Sequence, residues 1–293
     1  MTIRPRTEPV TPIERFTADV AALLDRIARV NAVPIARAAE AMLATLRTDG
    51  LVHVGGAGHG LMLGLEAFYR AGGLACVDPV WRPALLPLAG ARASTQAERS
   101  SGLGSTLADE AGIAEGDCVV IASQSGLNPV SIDLAAAAGA RGATVIAVTS
   151  VAHGRSLPSR DLAGRRLLDI AAIVIDTCVP PGDAAWDPAD PRTTGAPEIA
   201  GTPQAGGGPD TARGGAIGMD AAGDIAGATP RRRIAPLSTI ASCHAWNLVL
   251  VTLAGLARTR DVELPIWVSS NVPGGDEANA VLLARYGDRV AAL

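Results

Sequence analysis

Apolar residues recur at helical spacing near the start of the chain: Phe16, Val20, Leu23, Leu24, Ile27 and Val30. That period predicts a helix from about residue 11. Pro34 opens a second helical run and Gly50 ends it, so residues 11–48 are expected to form a helical hairpin. The pattern then changes. Leu51–Val54 is a short apolar strand, followed by Gly55-Gly56-Ala57-Gly58-His59-Gly60, a helix over Leu61–Arg70 and the break Gly72-Gly73. Leu74–Val77 is expected as the next strand. Cys118–Ala122 is apolar throughout and leads through Ser123-Gln124-Ser125-Gly126 into a helix over Pro129–Ala140. Thr144–Val148 and Ile170–Ile175 read as two further strands, and Pro236–Arg258 as a long helix. Pro265–Ser269 reads as an extended segment, and Pro273-Gly274-Gly275-Asp276 as a turn before a terminal helix with Leu282, Leu283 and Tyr286.

Strands that are apolar on both faces and alternate with helices imply a parallel sheet covered on both sides. The expected fold class is therefore an α/β three-layer sandwich, with residues 1–293 as one domain. Residues 187–232 break the pattern. They are rich in Gly, Pro, Ala, Asp and Thr and poor in large apolar side chains. Such a stretch buries too little surface to offset its ordering entropy, and a flexible insertion is expected there.

Composition narrows the partners. The net charge is −4 with acids and bases interspersed, so no basic stripe marks a nucleic-acid surface. Arg231-Arg232-Arg233 reads as solvated charge beside the insertion. No uninterrupted apolar run reaches the ~18 residues that span a bilayer, and the first residues lack a signal-peptide core. A cytoplasmic protein with no membrane and no nucleic-acid partner is expected. Cys76, Cys118, Cys178 and Cys243 are widely spaced in apolar stretches without a C-x-x-C pair, which reads as free buried thiols in a reducing compartment. His53, His59, His153 and His244 show no ligand spacing, so no metal is expected.

The junction Ile121-Ala122-Ser123-Gln124-Ser125-Gly126-Leu127-Asn128-Pro129 carries the clearest chemistry. A buried strand ends, and a small polar loop opens a helix. Ser123 and Ser125 offer hydroxyls, and Gly126 lets the backbone approach a ligand. Asn128 suits an N-cap and Pro129 the first helical position. Free amides at such a helix start, with the dipole behind them, favour an anion. A polar turn with a cap and no ligand is the alternative. The earlier glycine loop fits a dinucleotide site poorly, because Leu61 stands where the third glycine of G-x-G-x-x-G belongs. No Walker lysine follows either loop, so no nucleotide cofactor is expected.

Gly56-Ala57-Gly58, Ser123-Gln124-Ser125-Gly126-Leu127-Asn128 and Val148-Thr149-Ser150, each after a strand, resemble the sugar isomerase (SIS) domain. Its usual second motif is S-x-S-G-x-T, with Asn tolerated last. Further segments resemble a bacterial SIS subfamily provisionally labelled phosphoheptose isomerase. These are Phe68-Tyr69-Arg70-Ala71-Gly72-Gly73, Arg141-Gly142-Ala143-Thr144-Val145-Ile146, Thr149-Ser150-Val151-Ala152-His153, Val179-Pro180-Pro181-Gly182-Asp183-Ala184 and Asn271-Val272-Pro273-Gly274-Gly275-Asp276-Glu277. The likeness covers residues 11–186 and 234–287. It implies a five-stranded, flavodoxin-like parallel sheet in a homodimer or homotetramer that holds a phosphosugar. Ser123, Gln124, Ser125, Gly126, Asn128 and Thr149 or Ser150 would take the phosphate, and Gly58 and His59 would border the sugar. That subfamily commonly has Ser after the His. Here the residue is Gly60, which removes one expected hydroxyl contact.

Aldose–ketose isomerisation needs a base to move a proton between C1 and C2 and an acid to open the ring. Glu66 lies roughly where phosphoheptose isomerases carry a catalytic Glu. Glu98 lies in a segment resembling one that carries a catalytic Glu in muramic acid 6-phosphate etherases. Both stay open at this point. Glu66 could equally pair with Arg70 one turn on, and Glu98 could be a solvated charge. His153 could reach the pocket mouth, while His244 and His53 read as structural. The resulting expectation is a phosphosugar isomerase, with an etherase-like lyase or a non-catalytic phosphosugar sensor as alternatives.

Overall fold

A computed structural model describes residues 11–188 and 232–293. The hairpin is present as α1 (Pro12–Val30) and α2 (Ala32–Arg47). Thr11 and Glu14 start it reciprocally: the Glu14 amide donates to the Thr11 hydroxyl at 3.2 Å, and the Thr11 amide to the Glu14 carboxylate at 3.0 Å. The break between the helices falls at Asn31 rather than at Pro34. The buried Asn31 amide donates to Ile27 O and Asp176 O, both at 2.8 Å, and its oxygen accepts from Asp176 N at 2.7 Å. These bonds replace the Gly-rich turn that a hairpin would otherwise need. Pro34 sits in the first turn of α2, where an N–H would lack an intrahelical partner anyway.

Five parallel strands follow: β1 (Val52–Gly56), β2 (Val77–Val80), β3 (Cys118–Ala122), β4 (Thr144–Thr149) and β5 (Ile173–Asp176). Their order is β2-β1-β3-β4-β5, the flavodoxin-like arrangement. The helices between and after them are α3 (Leu61–Ala67), α4 (Ala91–Glu98), α5 (Leu103–Glu110), α6 (Pro129–Ala140), α7 (Val151–Ser156), α8 (Leu167–Ile170), α9 (Ser238–Thr259) and α10 (Gly275–Tyr286). Alternate strand residues serve opposite faces. Val120, Ala122, Ile146 and Val148 pack with Ile27, Met42, Trp246 and Leu253 of α1, α2 and α9. Val119, Ile121, Val145 and Ala147 pack with Leu107, Ile132 and Ala135 of α5 and α6. The expected fold class is the observed one.

Several boundaries differ from the expected ones. The second strand runs Val77–Val80, through Pro79, because β2 is a sheet edge where a missing N–H is tolerated. Leu74 instead forms a single bridge to Ile266, the one regular pairing in the Pro265–Ser269 segment among the described residues. α3 stops at Ala67, with Phe68 extended and Tyr69 at φ 43°. Ile170 belongs to α8, so β5 starts at Ile173. α9 is long and apolar enough to cross a membrane by length and composition, although polar residues such as His244 and Asn247 interrupt its apolar run. Six of its residues, including Trp246 and Leu253, are buried in the core.

β6 (Ala184–Trp186) pairs antiparallel with β7 (Ile234–Pro236). The flexible insertion expected over 187–232 lies outside the described residues from 189 to 231. All four cysteines are free, and Cys76, Cys118 and Cys178 are buried.

One buried charge cluster spans the strands. His53 on β1 has both ring nitrogens against carboxylates: Nδ1 lies 2.9 Å from Asp78 and Nε2 3.2 Å from Asp117. Asp117 also accepts from the amides of Leu51 at 2.8 Å and Ala114 at 2.9 Å. Burial alone would lower the His53 pKa. The bonds to Asp117 and Asp78 outweigh it and raise the pKa above the usual histidine value. His53 thus clamps β1 to β2 and to Asp117, the residue ahead of β3.

Candidate functional site

The site forms where β1 and β3 end side by side, with Gly56 opposite Ala122. Ligands in open parallel sheets sit beyond such carboxyl ends. After β1 the chain makes a tight turn, Gly58–Gly60, into α3. Space dictates Gly60: a Cβ there would lie 2.3 Å from the Ala122 carbonyl oxygen. The serine expected by family likeness could not fit this backbone. Gly60 is therefore a packing requirement of the turn rather than a lost ligand contact.

After β3 the loop Ser123–Asn128 folds back on itself. The Gly126 amide donates to the Ser123 hydroxyl at 3.2 Å and the Leu127 amide to the Ser125 hydroxyl at 3.4 Å. Gly126 has φ 63°, and a Cβ there would press on Thr149 Oγ1 at 3.1 Å and Leu167 Cβ at 3.2 Å. Asn128 is extended ahead of Pro129, but its side chain does not cap α6. Its Oδ1 instead accepts from Arg160 Nη1 at 3.0 Å. The first turn of α6 therefore has no side-chain cap competing for its amides.

These two loops wall a cavity of about 470 Å³, within the ~300–1,000 Å³ usual for small-molecule sites. Gly58, His59, Ser123, Gln124, Ser125 and Asn128 line it, and so do Glu98 and His153. α4 delivers Glu98 at its last residue. Burial raises the Glu98 pKa, against the opposing charges of Arg99 and Arg160 and a hydrogen bond from Asn128. His153 sits in α7, and Ser150 caps that helix by accepting from the His153 amide at 3.1 Å. Burial lowers the His153 pKa; the Asp183 carboxylate opposes this and Arg160 adds to it. Its Nδ1 is buried without a hydrogen-bond partner, and so is Gln124 Nε2. Buried polar atoms are normally satisfied, and these two belong to residues of the cavity wall.

Other expected site residues lie elsewhere. Gly126 is buried behind the loop. Thr149 and Ser150 are fully buried, with their hydroxyls committed to the protein. Ser150 donates to Val179 O at 2.6 Å and Thr149 to Gln124 O at 3.5 Å. They brace the loop from below and are not part of the cavity wall. Glu66 is not part of the cavity wall: its carboxylate accepts from Arg70 Nη1 at 2.6 Å. His244 is held by Leu24 O at 3.2 Å.

The far wall was not expected. Gly182, Asp183, Ser238, Thr239 and Ser242 complete the cavity. Asp183, at φ 68°, accepts from the Ser238 amide at 2.7 Å and the Ser238 hydroxyl at 2.8 Å. It ties the loop after β5 to the start of α9 and fixes both against the cavity.

The SIS domain family model matches residues 15–150. A UPF0309 protein of Brucella anthropi is 33% identical over 277 residues, covering 94% of this chain and 96% of that protein. A UPF0309 protein of Shouchella clausii is 27% identical over 279 residues, covering 95% and 98%. Among solved structures, the phosphoheptose isomerase of Neisseria gonorrhoeae is similar with a TM-score of 0.42 at 20% identity, over 56% of this chain and 83% of that one.

Proposed function

This chain belongs to the UPF0309 family and carries a SIS domain, and on that premise we propose that it binds a phosphorylated sugar and isomerises it between aldose and ketose. One observation supports this reading above the others. A serine-rich anion loop, a half-buried glutamate and a buried-edge histidine all face one sugar-sized cavity. Hydroxyls of Ser123 and Ser125 and the amides at the start of α6 hold the phosphate.

Glu98 is the base. Its raised pKa brings the carboxylate closer to neutrality, where proton removal and return are balanced. It takes the proton from the carbon beside the carbonyl and returns it to the neighbouring carbon through an enediol. His153, kept neutral near pH 7 by its lowered pKa, exchanges the proton between the two sugar oxygens. The protein ends the cycle in its starting protonation state.

A second reading shares the first step. Glu98, and not Glu66, faces the cavity, and its segment is the one that resembles the etherases. In that chemistry the same proton removal expels an ether oxygen from the next carbon. Proton NMR in D2O separates the two. Incorporation of one deuterium with aldose–ketose interconversion supports the isomerase. Release of lactate from N-acetylmuramic acid 6-phosphate supports the lyase. Binding of a sugar phosphate with neither reaction contradicts both enzymatic readings and supports a sensor.

A further inference from the structure

The chain contains 25 basic residues and every one is arginine. Among the described residues none lines the cavity, whose charged walls are the carboxylates of Glu98 and Asp183. A phosphate dianion placed beside them meets like charge, and hydroxyls and amides offset that only in part. We propose that Arg160 supplies the missing cation, closing the phosphate end of the cavity and contacting the ligand phosphate directly. This rests on the phosphosugar reading above and adds a binding residue to it.

The geometry places Arg160 at that end twice over. Its backbone amide donates to Leu127 O at 3.0 Å, and its Nη1 donates to Asn128 Oδ1 at 3.0 Å. Both partners belong to the segment that opens α6, and Asn128 lines the cavity. The guanidinium therefore rests on a neutral amide, which orients it without cancelling its charge. Neighbouring Arg165 shows the contrast: it is paired with Asp161 at 2.9 Å. Arg160 is also close enough to lower the pKa of both Glu98 and His153.

The platform beneath it is tied by side-chain hydrogen bonds. Asp161 accepts from the amides of Ala163 and Arg165 at 3.1 Å each and from Arg165 Nε at 3.0 Å. Arg166 Nε donates to Gly154 O at 2.9 Å, fastening the segment to α7. The loop between α7 and α8 is thus braced at Leu127, Asn128 and Gly154, and it presents an exposed arginine whose remaining donors face no carboxylate at salt-bridge distance among the described residues. A guanidinium fork matches phosphate oxygens in pairs.

Calorimetric titrations of inorganic phosphate, fructose 6-phosphate and fructose test this, at low and at high salt. The unsubstituted protein, Arg160→Ala, Arg160→Lys and Ser125→Ala are compared, and the unliganded melting temperature checks each fold. Arg160→Ala is expected to bind both phosphates roughly tenfold more weakly, with a shallower salt dependence, while Arg160→Lys recovers part of the affinity. Unchanged affinity in Arg160→Ala with weakened Ser125→Ala overturns the role of Arg160 and leaves the loop assignment standing. No phosphate binding by the unsubstituted protein overturns both. If Arg160→Ala lowers the melting temperature, Arg160→Gln, which keeps a donor to Asn128, replaces it in the same comparison.

Discussion

A Cβ on Gly60 would lie 2.3 Å from the carbonyl oxygen of Ala122. The obstacle is backbone at the end of β3, so it cannot move aside without shifting Ser123, the first residue of the loop that follows. Gly60→Ser should therefore destabilise the protein by about 1–3 kcal/mol and weaken ligand binding as well. Thermal unfolding with and without a sugar phosphate checks this. A variant as stable as the parent, with tighter binding, would mean that the turn has room for a serine.

Ser125→Ala removes one hydroxyl from the loop and leaves its backbone intact. The expected loss is ~1–2 kcal/mol of binding to a phosphorylated ligand, with little change for the unphosphorylated sugar. Isothermal titration of both ligands reads the difference. Equal losses for the two would place Ser125 away from the phosphate.

Glu98 and Glu66 are separable by function. Glu98→Gln should bind sugar phosphate normally and lose about 10²–10⁴-fold in turnover. Glu66→Gln breaks an ion pair with Arg70 outside the cavity wall and should keep its turnover. The reverse pattern in a steady-state assay would move the base to α3.

His53 makes stability depend on pH. Its folded-state pKa is raised, so its contribution is fully present below the unfolded value and is lost as pH rises through the folded one. Asp117, whose pKa is lowered in the fold, works in the opposite sense: its contribution is lost as pH falls through that lowered value. Removing the side chain is costlier than titrating it. His53→Ala should destabilise by about 3–5 kcal/mol, because it leaves two buried acids facing a void. Denaturant unfolding across pH checks both statements, and a variant whose stability matches the parent's at neutral pH would contradict the clamp.

The sheet and the Ser123–Asn128 loop that walls the cavity were legible because they are local. Apolar runs such as Cys118–Ala122 and the Ser123–Pro129 junction announce strand, loop and helix within a few residues. Which hydroxyl-bearing residues line the cavity was not legible. Thr149 and Ser150 stand at a strand end like Ser123, but lie one layer deeper, where Gln124 and Val179 use them. Asn128 has the character of a cap, yet Arg160, 32 residues on, takes its side-chain oxygen. The choice between Glu66 and Glu98 depends on which side of a helix meets the cavity, and residue type does not encode that. Asp183 and Ser238 build the far wall across 55 positions of sequence, so no short motif could join them.

The most direct test of the phosphosugar site is a thermal-shift comparison of the protein against paired sugars. Sedoheptulose, fructose, glucosamine and N-acetylmuramic acid would each be offered with and without phosphate. Stabilisation by at least one phosphorylated member is expected, approaching ~2.7 kcal/mol at a hundredfold excess over Kd, with none from its unphosphorylated partner. Equal response to both partners, or no response to any phosphate at millimolar concentration, would contradict it.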